Sequence, residues 1–174
     1  MRRLLLLRHA KSDWPEGVQD LDRALAPRGR EAAPRMGAYL AAEHLLPDLV
    51  VVSPARRTRE TWDLVRPFLG DVETRVEPRL YEATVDRLLE VVRDADAEAR
   101  ALLMIGHNPG FEDLARRLTG HGDRYAFARL AQKYPTAGLA VIDFPLERWA
   151  EVEPRAGRLD RFVTPKTLGA DADD

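Results

Sequence analysis

Three short apolar runs, each broken off by residues suited to holding an anion, constrain this chain more than any other feature of its sequence. Leu4–Leu7 runs into Arg8 and His9, Leu49–Val52 into Ser53-Pro54, and Ala101–Ile105 into Gly106-His107. Unbroken apolar runs of this length, without polar alternation, read as strands covered on both faces. A fourth run, Leu139–Phe144, ends at Pro145. Trp149–Val152 is expected to pair with it as a hairpin across Pro145–Arg148, forming the antiparallel margin of the sheet. Val72, Thr74 and Val76 alternate like a short edge strand that Pro78 stops.

Helical periodicity fills the intervals, over Arg28–His44, Thr58–Phe68, Val85–Asp94 and Phe111–Leu118. Strands alternating with helices of this length require crossover connections, so the predicted fold is a three-layer α/β/α domain around a mostly parallel sheet. Lys11–Pro27 has no clear period and reads as an ordered loop over one edge of that sheet. Residues 1–166 are expected to form one domain, and 167–174, small and acidic with nothing to bury, a flexible tail.

A chain of 174 residues can bury a core without staples, and with no cysteine it has no disulfide, thiolate ligand or cysteine nucleophile. The expected compartment is the cytoplasm. The apolar stretch near the N-terminus is too short for a signal-peptide core or a membrane span, so no membrane association is expected. Formal charge is −2, from 27 Lys plus Arg against 29 Asp plus Glu, which gives no global field for nucleic acid. An anion site must therefore be a local cluster.

In an open parallel sheet, ligands bind beyond the carboxyl ends of the strands. There the first three runs would bring together Arg8, His9, Ser53, Arg56, Arg57, His107 and Asn108. Several positive groups sharing a core would be costly, whereas around a phosphate dianion their arginine forks find matching oxygens. The helix expected near Pro109 adds its positive end. A metal would need a third ligand, which is not evident at the strand ends, and would be repelled by the arginines, so no metal or other cofactor is expected. His44, near a helix end, and His121, in a Gly-His-Gly turn, read as structural or exposed. Ser12 and Ser53 lack the glycine-flanked elbow of a serine nucleophile, and Ser53 reads as a helix cap. Neither a Walker loop nor a Gly-x-Gly-x-x-Gly turn is present.

These residues carry a family resemblance. Leu6-Leu7-Arg8-His9-Ala10-Lys11-Ser12 resembles the signature of the histidine phosphatase superfamily, the phosphoglycerate-mutase-like phosphatases, and in particular its small phosphohistidine phosphatase branch. Asp20-Leu21-Asp22-Arg23-Ala24-Leu25 with Arg28-Gly29 is similar to the loop before that family's first helix. Ser53-Pro54 with Arg57, Arg59 and Thr61 is similar to its second motif, and Gly106-His107-Asn108-Pro109-Gly110 to its third. The resemblance covers most of residues 3–145. It implies a phosphoglycerate-mutase-like fold, His9 as nucleophile, Arg8 and Arg57 as phosphate clamps, and His107 as the second pocket histidine, with Asn108 a further phosphate contact. Ala24 stands where the branch often has proline. Arg56 is expected to project toward solvent or substrate.

Only about fifty residues separate Arg57 from His107, which leaves no room for the lid that sugar-phosphate members of the superfamily carry. An alkoxide leaving group needs a proton, whereas a protonated imidazole leaves readily. Glu82 is the nearest candidate donor, with a solvent-facing role equally open, and Asp13 and Asp22 are weaker candidates. An open pocket suits phosphohistidine on a partner protein. The alternatives are a phosphomonoesterase acting on a small phosphorylated molecule, and a phosphate-recognition module without turnover.

Overall fold

The computed structural model describes residues 1–168. Its strands are β1 (Arg2–Arg8), β2 (Leu49–Val52), β3 (Glu73–Val76), β4 (Ala101–Gly106), β5 (Thr119–Gly122), β6 (Leu139–Phe144) and β7 (Gly157–Val163). The helices are α1 (Pro27–Ala42), α2 (Arg56–Val65), α3 (Val85–Arg93), α4 (Gly110–Leu118) and α5 (Arg124–Gln132). All seven strands join one sheet in the order β3-β2-β4-β1-β6-β7-β5. Four of its pairings are parallel, and β6 is antiparallel to both β1 and β7.

The unbroken leucines of β1 have a simple cause. Leu4 and Leu6 enter a core with side chains of α3, α4 and α5, while Leu5 and Leu7 enter a second core with those of α1 and α2. All four are fully buried. At about 1.5–3 kcal/mol for each buried leucine, either face alone gives β1 a strong preference for the centre of the sheet. β3, with neighbours on one side only, is partly exposed and carries the alternating pattern.

Several expectations need correction. Trp149–Val152 does not pair with β6; Trp149–Glu151 is a 3-10 turn. The Trp149 indole is 1% exposed and donates to the Ala99 carbonyl at 2.7 Å, a burial that a strand at the margin could not give it. Besides β1, the antiparallel partner of β6 is β7, whose Arg158, Asp160 and Arg161 break the apolar pattern. β5 and α5 were not expected at all, and His121 sits on β5 rather than in a turn. His44 follows α1 at a φ of 56°, and its exposed imidazole has no hydrogen bond to the helix among the described residues. Thr167 and Leu168, expected in the tail, close a 3-10 turn, Pro165–Leu168. There Thr167 Oγ1 accepts from the Thr164 amide at 2.9 Å. The remainder of the expected tail lies outside the described residues.

Candidate active site

β2, β4 and β1 are neighbours in the sheet, so their carboxyl ends converge. The backbone ladder continues one residue past each end: the His9 amide donates to the Gly106 carbonyl at 3.0 Å and the Ser53 amide to Ile105 at 3.1 Å. From α2, Thr61 Oγ1 accepts the Ala10 amide at 3.0 Å and donates to the Arg57 carbonyl at 2.7 Å. This gives Thr61 a physical task within the second motif, tying the segment just after His9 to the helix that carries Arg57.

The cavity at this point is about 400 Å³ and is lined by Arg8, His9, Arg57, Glu82, His107 and Asn108, all singled out from sequence. Asp20, Arg23 and Tyr81 line it too. His9 is 6% exposed, with Nδ1 2.8 Å from the Ala10 carbonyl. A carbonyl can only accept, so Nδ1 carries the proton and Nε2, which has no hydrogen-bond partner among the described residues, keeps its lone pair. Burial pushes the His9 pKa down to about 3, against the Ala10 hydrogen bond and with the help of His107, Arg57 and Arg8. His107 stands with its ring centroid 5.4 Å away and its pKa lowered to about 4, first by burial and then by Arg57. Both imidazoles are therefore neutral in the empty cavity.

The Arg8 guanidinium donates to the Tyr134 carbonyl at 2.8 Å, and burial lowers its pKa. Arg57 donates through Nη1 to the Asp20 carbonyl at 2.7 Å and through Nη2 to Asp20 Oδ2 at 3.1 Å. Asp20 also accepts from Tyr81 at 2.5 Å and Arg23 at 3.0 Å. The Tyr81 hydroxyl, then Arg57 and Arg23, hold its pKa near 2 against the cost of burial. Burial and Asp20 raise Tyr81 to about 12. Arg23 also donates to Ser12 Oγ and the Asp13 carbonyl, both at 2.9 Å, and stacks on Trp14 with its guanidinium carbon 3.5 Å from the ring centre. One buried arginine thus orders much of the loop expected between Lys11 and Pro27.

Among the described residues, five buried side-chain nitrogens have no hydrogen-bond partner, and three of these are Arg8 Nε, Arg57 Nε and His107 Nδ1. Native proteins rarely leave such groups unpaired, so three in residues of one cavity mark a place for an acceptor. Four cationic residues and two acidic ones line the same space. No three His, Asp or Glu side chains among the described residues are grouped to hold a metal ion.

Other candidates are placed differently. Arg56 is exposed and pairs with Glu60 at 3.0 Å. Ser53 is not the cap of α2, which starts after Ala55; its Oγ lies 2.7 Å from His107 Nε2. Asn108 reaches the cavity, yet its amide donates to the Tyr134 carbonyl at 3.1 Å and to Glu112 at 3.4 Å, while its oxygen accepts the Glu112 amide. Glu82 lies exposed at the mouth, in a turn with φ 53°. Asp13 and Asp22 line a separate recess. Asp20 was within the resembling loop motif, but its seat on Arg57 depends on a contact between residues 37 apart, for which periodicity gives no signal. Tyr81 was visible only as the neighbour of Glu82.

A neutral imidazole with a free lone pair, set among guanidinium groups at the ends of parallel strands, defines a phosphatase of α/β architecture. The family model of the histidine phosphatase superfamily (branch 1) matches residues 4–110, and the chain belongs to that superfamily. It is 36% identical over 162 residues to an uncharacterised protein of Mycobacterium tuberculosis, which covers 92% of this chain and all of that one. The phosphohistidine phosphatase SixA of Agrobacterium tumefaciens, so named, superposes with a TM-score of 0.80 at 29% identity, covering 94% of this chain and 98% of its own. Its namesake from Nakamurella multipartitia gives 0.80 at 27% identity, with 94% and 96% covered. Among the described residues, no helix is long and apolar enough to cross a membrane.

Proposed function

We propose that this phosphatase removes the phosphoryl group from phosphohistidine on a partner protein, passing it through His9 Nε2. The observation that carries the reading is the trio of unpaired buried nitrogens on Arg8, Arg57 and His107, which a phosphoryl group would supply with oxygens. In the first step the Nε2 lone pair of His9 bonds to phosphorus as the bond from phosphorus to the departing imidazole breaks. The departing imidazole, protonated on its other nitrogen, leaves as a neutral ring. Arg8 and Arg57 balance the equatorial oxygens, and His107 donates from Nδ1. Water then attacks phosphorus, the bond to His9 breaks, and inorganic phosphate is released.

The choice of substrate follows from the leaving group and the cavity mouth. Asp20 is held ionised by its hydroxyl and guanidinium partners, so it has no proton to give an alkoxide. A phosphorylated imidazole needs none. Glu82 is the one expected donor that reaches the cavity, and it becomes important if the substrate is instead a small phosphate ester. Residues 1–166 act as one catalytic domain in this reading, needing no metal. The absence of cysteine is compatible with a reducing compartment, and the reading takes the cytoplasm as the site of activity. A hydrolysis survey of a phosphohistidine protein, phosphoramidate and a set of sugar phosphates tests the reading. Preference for the phosphohistidine protein is expected; preference for the esters refutes it in favour of a metabolite phosphomonoesterase. Binding without turnover of any of them would indicate a recognition module.

A further inference from the structure

The sequence contains three lysines, Lys11, Lys133 and Lys166, against 24 arginines. All three line one groove of about 450 Å³, together with Arg28 and Arg129 and with no carboxylate in its lining. The concentration is distinctive in a chain of net charge −2, whose arginines elsewhere are extensively paired with acids. Among the described residues, none of the three lysines, nor Arg28, makes an ion pair or a side-chain hydrogen bond. Arg129 alone is engaged, donating to the Phe162 carbonyl at 3.1 Å. The groove adjoins the catalytic cavity, since Lys11 and Thr136 line both.

The geometry points to this groove as a docking surface for acidic side chains that flank the phosphohistidine of the partner protein. It rests on the substrate reading above and adds the chemistry by which the partner is recognised. The two neighbouring sites differ in emphasis. Three of the four cationic side chains of the cavity are arginines, where a phosphoryl group demands fixed geometry, whereas all three lysines, flexible point charges, reach the groove beside Arg28 and Arg129, where the carboxylates of a protein surface differ in position. Half-buried Pro135 and Ala32 add apolar surface between the charges, as suits a protein contact more than a bare polyanion. The −2 overall charge argues against nucleic acid as the occupant.

Two phosphohistidine peptides of equal length, one with four flanking Asp or Glu residues and one with Asn or Gln in their place, provide the test, with phosphoramidate as the control that fills the cavity alone. Exposed Lys133 and Lys166 can be reversed without disturbing the core, as Lys133→Glu with Lys166→Glu. Wild-type kcat/KM should favour the acidic peptide by about fivefold or more at low salt, and the preference should shrink as salt is raised. The double variant should lose that preference and keep phosphoramidate turnover within about twofold of wild type. Fluorescence anisotropy of the unphosphorylated acidic peptide on the His9→Ala protein reads the groove without catalysis, and the same reversals should weaken that binding. Hydrolysis of both peptides at rates indifferent to flanking charge, with binding equally indifferent, would overturn the groove assignment and leave the substrate reading intact. Charge-dependent binding without phosphohistidine hydrolysis would refute the substrate reading instead. An oligonucleotide or inorganic polyphosphate that competes better than the acidic peptide would also overturn the assignment.

Discussion

Replacing Ser53 with alanine separates the account of His107 from a merely structural one. Ser53 is fully buried, and its Oγ lies 2.7 Å from His107 Nε2. The same oxygen accepts the Ala55 amide at 3.4 Å, and its own proton, which has no other acceptor among the described residues, is free to be donated to Nε2. His107 then keeps its proton on Nδ1, the buried nitrogen without a partner in the empty cavity. Ser53→Ala leaves Nε2 without its partner, at about 1–3 kcal/mol of stability, readable in urea unfolding. It also removes the preference for the Nδ1–H tautomer. Loss of one aligned donor in such a site costs on the order of 10²-fold in rate, and a donor that is misaligned but present should cost about tenfold or more. Rapid-quench measurement of phosphoenzyme formation with phosphoramidate gives the rate, and nitrogen NMR of labelled histidine gives the tautomer. A Ser53→Ala protein with wild-type phosphorylation rate and an unchanged Nδ1–H signature would refute the reasoning.

Arg57→Ala should slow phosphoenzyme formation by about 10²–10³-fold and release Asp20, whose pKa should rise toward an ordinary carboxylate value; carboxylate NMR and rapid quench read the two effects. Stability should fall on acidification between about pH 6.5 and pH 4, because His9 and His107 take up protons near pH 6.5 when unfolded but only near 3 and 4 when folded. With two such groups the loss is about 2 kcal/mol between pH 6.5 and 5.5, and the His9→Gln/His107→Gln protein should lack it in denaturant titrations at several pH values. The acid limb of kcat/KM, by the same pKa shift, should not follow His9 protonation near pH 6.5. Gly29→Ala should destabilise by about 1–3 kcal/mol in thermal unfolding, since a Cβ there would sit 2.1 Å from the Lys11 carbonyl oxygen and push on the loop that carries His9.

The elements legible in the sequence are those whose burial is continuous. β1, β2, β4 and β6 are shielded on both faces and read as unbroken apolar runs. The residues just past β1, β2 and β4 then pointed to the candidate cavity, because the ends of neighbouring parallel strands converge. β5 and β7 lie at the far side of the sheet, where exposure admits glycine and charge, so neither shows a strand pattern. α5 buries only Ala126 and Leu130 fully, too narrow a stripe for its period to stand out. At the site the omission of Asp20 and Tyr81 and the reading of Ser53 as a cap have one cause: all three make contacts to distant segments, and sequence gives their chemistry without their neighbours. Trp149 misled for the reverse reason: an aromatic beside small apolar residues resembles a strand, although it packs into the core as a 3-10 turn and its indole N–H is satisfied by the Ala99 carbonyl, 50 residues away.

The central claim is that His9 receives the phosphoryl group, and its most direct test is to trap the phosphoenzyme with phosphoramidate and locate the added phosphate by mass spectrometry. The account predicts an acid-labile, base-stable phosphate on His9, absent from His9→Ala protein that retains native circular dichroism. His107→Ala should slow its formation severely yet leave it detectable. Phosphate found on His107, or undiminished hydrolysis by the His9→Ala protein, would contradict the account.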